Sequence, residues 1–207
     1  MGRASWLLGA ALLTMSAAIS DLSAAPAPGA DMSIPPPMTV VSTLHHYTVP
    51  PISLIDQHGR KVKLAQALAG DKPVLVQFFF TTCTTICGVR SAQLVSIAPK
   101  LAKTHIDIGF YTISIDPGHD SPKRLLAYSR HFGVRPPSNW HLLTGSEAQI
   151  KQTEAAFNAS DPSNDKMMHK PLTFIHGGKG QPWQRINGLT TTRQLMALIK
   201  TAVAEAQ

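Results

Sequence analysis

Cys83 and Cys87 are the only thiols of the chain, four residues apart in Phe80-Thr81-Thr82-Cys83-Thr84-Thr85-Ile86-Cys87. Residues i and i+4 differ by about 40° around an α-helix, so two such side chains share a face and can point at one atom. A soft cation fits between two thiolates placed that way. The same spacing also permits a disulfide when the first cysteine sits in the preceding loop, since the Cα atoms need only lie within ~4.4 to 6.8 Å. Spacing leaves a metal site and a redox pair both open. A stapling disulfide is the weaker reading, because closing so short a loop removes little chain entropy. Two cysteines also exclude a disulfide-stapled miniprotein, a four-thiolate zinc site and an iron–sulfur cluster held by this chain alone.

The surrounding elements give the pair its setting. Val74 to Phe80 is a short apolar run rich in β-formers, bounded by Pro73 and a threonine cluster, and it reads as a buried central strand. The cysteines follow at the start of a helix with Leu94, Ile97, Ala98 and Leu101 on one face, which Pro99 is expected to kink or end. In open α/β sheets the working crevice lies beyond the carboxyl ends of strands, and a helix N-terminus stabilises thiolate. Both sulfurs are therefore expected to be accessible and partly ionised near neutral pH.

Upstream, Ile52 to Ile55 and Lys61 to Leu64 read as two short strands around Asp56-Gln57-His58-Gly59. Downstream, Ile106 to Ile115 is a second strong strand, and Asp120-Ser121-Pro122 supplies a cap, assigned to Asp120, and a first-turn proline for a helix carrying Leu125, Tyr128 and Phe132. Ser146 and Gln149 have capping-box spacing. Leu172 to His176 and Trp183 to Ile186 form a hairpin around Gly177-Gly178-Lys179-Gly180, and a last helix presents Leu195, Leu198, Ile199 and Ala202. The order predicts an α/β, thioredoxin-like fold with a mixed central sheet, helices on both faces and an added N-terminal β-hairpin.

With 207 residues, 43% of them hydrophobic, the chain has room for one domain with a real core. Its net charge of +7 favours acidic partners, yet the basic residues are scattered, with no basic run interleaved with aromatics as a nucleic-acid groove would require. Residues 1–25 read as an export signal: Arg3, an apolar stretch from Trp6 to Ile19, and Ser23-Ala24-Ala25 as a cleavage site. The uncharged stretch between Arg3 and Asp21 is 17 residues, at the lower limit of a membrane span, so retention as an anchor stays open. A lipid-anchored form would need a cysteine at the cleavage site, and a mitochondrial presequence should be Arg-rich, whereas the next arginine is Arg60. Residues 26–51 hold seven of the 16 prolines and read as a flexible tether, leaving 52–207 as the folded domain.

Lys72-Pro73-Val74-Leu75-Val76-Gln77-Phe78-Phe79-Phe80-Thr81-Thr82-Cys83 followed by Cys87, then Ser114-Ile115-Asp116-Pro117 with Asp120-Ser121-Pro122, then a late histidine ahead of the hairpin, resemble the Sco/SenC family of copper-binding assembly factors from about Ile52 to the C-terminus. The resemblance implies a thioredoxin-like fold and a copper site made by Cys83, Cys87 and His169. It also implies delivery of copper to, or preparation of the thiols of, the dinuclear copper site of cytochrome c oxidase. The partners implied are the oxidase's copper-binding subunit or another cuproprotein, with an upstream copper donor, at the periplasmic or extracytoplasmic face of the inner membrane. Three residues depart from the family pattern: Gly88 stands where the family commonly has proline, His176 occupies a strand position often apolar, and Pro171 sits where thioredoxins carry their cis-proline.

Of nine histidines, His169 is singled out because it ends a polar stretch two residues before a strand, against the cysteine loop in a thioredoxin-like arrangement. Two thiolates and one imidazole suit Cu(I). Met167 and Met168 flank that histidine, either as packing or as a weak axial sulfur. His176 reads as a strand-end side chain and His45-His46 as incidental, since neighbours on an extended chain point opposite ways. Asp116 is kept as a candidate for supporting the metal loop. The alternative function is a thiol-disulfide oxidoreductase that reduces the cysteines of a cuproprotein before metallation, using Cys83 and Cys87 as its redox pair. A peroxidase of peroxiredoxin type shares the fold but is poorly served by the four-residue spacing.

Overall fold

Side chains of Val74–Phe79 are buried along the whole strand, and they leave it to two sides. Val74, Val76 and Phe78 enter one apolar cluster, Leu75 and Phe79 another. A strand covered on both faces reads as a nearly continuous apolar run, interrupted here by the buried Gln77, which is why no alternation marks it in the sequence. The computed structural model describes residues 40–134, 138–163 and 165–206.

The elements are β1 (Val41–His45), β2 (Ser53–Asp56), β3 (Lys61–Lys63), α1 (Leu64–Leu68), β4 (Val74–Phe79), α2 (Ile86–Ala102), β5 (Gly109–Ser114), α3 (Pro122–His131), β6 (Trp140–Thr144), α4 (Glu147–Ala156), β7 (Leu172–His176), β8 (Trp183–Asn187) and α5 (Thr192–Ala204). A 3-10 turn, Lys166–Met168, leads into β7. The strands form one sheet in the order β1-β8-β7-β4-β5-β6-β2-β3. β4, β5 and β6 run parallel, and every other pairing is antiparallel. Leu64 and Leu68 of α1 and Ile150 of α4 pack on one face. Leu94, Ile97 and Leu101 of α2, Leu125 of α3, and Leu195 and Ile199 of α5 pack on the other. This is the expected mixed α/β, thioredoxin-like sheet with helices on both faces, and β2–β3 is its added hairpin.

Several boundaries differ from the expectation. The ordered chain starts before residue 52: β1 pairs with β8 from Val41↔Asn187 to His45↔Trp183, and Val49 is buried. A five-residue β-run between Pro37 and Pro50 was hidden by the proline bias around it. Residues 1–25 and the tether up to residue 39 lie outside the described residues. Among the described residues, no helix is long and apolar enough to cross a membrane. α2 continues through Pro99, one turn before its end, where the lost N–H removes a single bond from a helix anchored by Leu94, Ile97 and Leu101. β6 had no place in the expected order. The cap of α3 is Ser121, whose side chain accepts from the Arg124 N–H, and this frees Asp120 for another purpose. Both α4 and α5 begin with complete capping boxes, at Ser146/Gln149 and Thr191/Gln194.

Candidate metal and thiol site

β4 ends at Phe79 and the chain turns, the Cys83 N–H donating to the Phe80 carbonyl at 3.1 Å. α2 then starts at Ile86, with Thr85 as an N-cap that makes no side-chain cap bond, and the Thr85 and Cys87 N–H groups turn to Cys83 instead. Cys83 is half-buried; Cys87, on the first turn of α2, is 3% exposed; both are free thiols. Burial pushes the Cys83 thiol up, but hydrogen bonds from the Cys87 side chain, from the Thr85 hydroxyl and N–H, and from the Cys87 N–H outweigh it and hold Cys83 down at about 7. Cys87 goes the other way: burial, then its bond to Cys83, push it up to about 12. The expectation of two accessible, partly ionised sulfurs is thus corrected to one, because α2 buries its first turn against the sheet. A Cys83 thiolate accepting from a Cys87 S–H is a nucleophile beside a proton-bearing partner, and the two titrate as a unit.

The loop that carries them is fastened by Asp120, expected from the sequence as a helix cap and as part of the aspartate motif of the family resemblance. Its carboxylate is fully buried and accepts from the Thr81 N–H at 3.0 Å, the Thr81 hydroxyl and the Ser114 hydroxyl at 2.6 Å, with the His119 ring at 3.2 Å. It thereby ties the residue two before Cys83 to the end of β5. Asp116 does not bond to the cysteines. It pairs with Lys166 at 2.5 Å, and the Lys166 ammonium also lies 5.4 Å from the centroid of the Phe80 ring. Asp116 therefore fastens the turn that leads to His169.

His169 lies at the same end of the sheet as the cysteines but against the other layer. Its ring meets the Phe78 ring edge-on at 6.2 Å, and Phe78 faces the cluster opposite Cys83 and Cys87. Burial, then the nearby Arg90 charge, lower its pKa to about 4 against a hydrogen bond to the Phe78 main chain. Nε2 is buried without a partner. A neutral imidazole with an unused ring nitrogen has the form a metal ligand needs. A cavity of about 340 Å³ adjoins it, lined in part by Glu154, Asp161, Asp165 and Lys166. Among the described residues no three His, Cys, Asp or Glu side chains are grouped to hold a metal ion. The structure thus brings Cys83 and Cys87 together and leaves His169 across the end of β4 from them. Pro171 directly precedes β7 and accepts from the Gly188 N–H at 3.1 Å. His176 is buried on β7, stacked on Trp183 at 4.6 Å, with Nε2 donating to the Gln181 carbonyl. His45 stacks on Tyr47 instead of pairing with His46. Met167 and Met168 are 60% and 63% exposed, so neither is packing beneath the loop.

The sequence model of SCO1/SenC matches residues 41–204. The chain belongs to the SCO1/SenC family. It is 29% identical over 152 residues to an SCO1 protein homolog of Bacillus subtilis, covering 71% of this chain and 77% of that protein. Among solved structures it is similar to BsSco, described with a disulfide switch and as a member of the Sco family of cytochrome c oxidase assembly proteins, at 27% identity and TM-score 0.64, covering 78% and 96% of the two chains. It is also similar in fold to copper-bound ScoI of Arabidopsis thaliana, at 20% identity and TM-score 0.62, covering 76% and 98%.

Proposed function

We propose that this chain is an extracytoplasmic copper chaperone that holds copper between Cys83 and Cys87, takes His169 as third ligand, and passes the metal to the copper site of cytochrome c oxidase during assembly. The observation that carries this reading is the donor chemistry: a thiol held at about 7 against a second thiol, and a neutral imidazole with an unpartnered Nε2 at the same sheet end. Copper in the Arabidopsis neighbour and the oxidase-assembly role named for BsSco support it. Binding displaces the Cys87 proton, because metal-bound thiols ionise. His169 reaches the cysteines when the exposed Asp165 to Met168 segment swings over the end of β4. Asp120 keeps the cysteine loop in place meanwhile. To test the reading, the copper-loaded protein is mixed with the metal-free copper domain of the oxidase subunit. The dinuclear-copper absorption is expected to develop at a rate that scales with the loaded chaperone. A domain that stays colourless, or is metallated equally fast by free copper and by the C83S/C87S protein, contradicts delivery.

A second reading, favoured by the asymmetry between the cysteines, is reduction of a cuproprotein disulfide. The Cys83 thiolate attacks the partner disulfide, forming a mixed disulfide and releasing one partner thiolate. Cys87 then loses its proton and attacks Cys83, forming the Cys83–Cys87 bond and releasing the second thiolate, so two electrons pass to the partner. The disulfide switch named for BsSco supports this use of the pair.

A further inference from the structure

Arg90 is the residue that the copper reading has not used. It lies three residues after Cys87 on the first turns of α2 and is 5% exposed. Its guanidinium donates to the Phe78 carbonyl at 3.3 Å, to the Leu172 carbonyl and to the Thr173 hydroxyl at 3.1 Å, all of them neutral oxygens. None of the ion pairs among the described residues includes it. A buried cation without a counter-ion is costly, and folds seldom keep one idle. Besides the Tyr128 phenol, the groups that Arg90 bears on are those of the site, Cys87 and Cys83 on one side and His169 on the other. Its three bonds span the end of β4 and the start of β7, so the charge stays fixed whichever way the His169 loop moves. The planar fork of arginine suits such a bridge better than an ammonium does.

We infer that Arg90 is the built-in counter-charge of the loaded site and sets its preference for Cu(I) over Cu(II). The inference rests on the copper reading above. Two thiolates, a neutral imidazole and Cu(I) carry one net negative charge, which the guanidinium cancels. With Cu(II) the same ligands are already neutral, and Arg90 leaves an uncompensated positive charge in a buried place. The protein thereby discriminates between oxidation states through a residue that touches no metal, a positioning charge anchored to two backbone carbonyls and the Thr173 hydroxyl.

The test compares Cu(I) and Cu(II) affinities, by competition with chelators specific for each ion, in the full chain and in R90Q, R90K and T173D. R90Q is expected to erode the preference for Cu(I) by about ten- to a hundredfold, for a unit charge acting at an effective dielectric near 20. By the one-electron relation this lowers the copper potential by about 60 to 120 mV. R90K, which keeps the charge and loses the fork, stays within about threefold of wild type. T173D retains Arg90 but gives it an internal carboxylate, and its preference falls in the same direction as that of R90Q. T173D decides the matter alone if R90Q does not fold. A wild-type ratio in T173D, or an R90K shift as large as that of R90Q, overturns the inference while leaving the copper reading intact. A wild-type protein that takes up neither ion overturns both.

Discussion

The loop carrying the cysteines and the loop carrying His169 flank the same end of β4, yet they are held in opposite ways. Thr81 is clamped to the fully buried Asp120, Cys87 is packed into the α2 side of the core, and Arg90 pins the first turns of α2 to Phe78 and Leu172. Across the strand, Asp165, Lys166, Met167 and Met168 are all exposed, and their fastenings are local turns plus the pair between Lys166 and Asp116. In the proposed copper site one half is a firmly held dithiol and the other an imidazole that follows an exposed turn. The proposed cargo role would use this division. Rigid donors on every side would bind metal and not release it, whereas a loop that closes at small cost can also open toward a recipient.

Damage to the fixed half should have the largest effect. D120A strands the Thr81 and Ser114 donors around a void, and the apo-protein is expected to lose about 3 to 5 kcal/mol by urea unfolding. Next comes the acid response of His169, buried neutral with its pKa lowered to about 4. Its unfolded value is higher, so the neutral form costs nothing above ~6.5, and stability falls as pH drops from there toward 4, by about 2 to 3 kcal/mol after allowing for partial exposure. H169N, measured by thermal unfolding across that range, is expected to flatten the slope; an unchanged slope assigns it to other groups. The smallest effect belongs to the adjustable half. K166A removes a half-exposed pair and should cost less than about 1 kcal/mol by the same urea measurement, while speeding copper release. A K166A loss equal to that of D120A would erase the contrast between the two loops.

The parts of this design that are legible in the sequence are those written in local chemistry. β4 follows from its apolar run, α4 from Ser146 and Gln149, and the cysteine pair from spacing at a strand-to-helix junction. What escaped depends on distant neighbours. Asp120 and Ser121 both precede Pro122 and either suits a cap, so only the position of Thr81 and Ser114 decides which one turns inward. Likewise Arg90 reads as an ordinary charged helix residue until Phe78, Leu172 and Thr173 surround it. β1 was masked by prolines, and the unequal thiols by the depth to which α2 sinks. The placement of His169 at the site's end of the sheet was legible; its side of β4 was not, because the loop's path past Phe78 is set by tertiary packing.

Copper K-edge X-ray absorption on the Cu(I)-loaded protein and on its H169A variant tests the central claim most directly, since it counts donor atoms around the metal. Two sulfurs and one nitrogen in the wild type, with the nitrogen lost in H169A, are expected if the adjustable loop closes on the fixed dithiol. Two sulfurs alone in both proteins would mean that His169 stays on its own side of β4 and that the imidazole takes no part in holding copper.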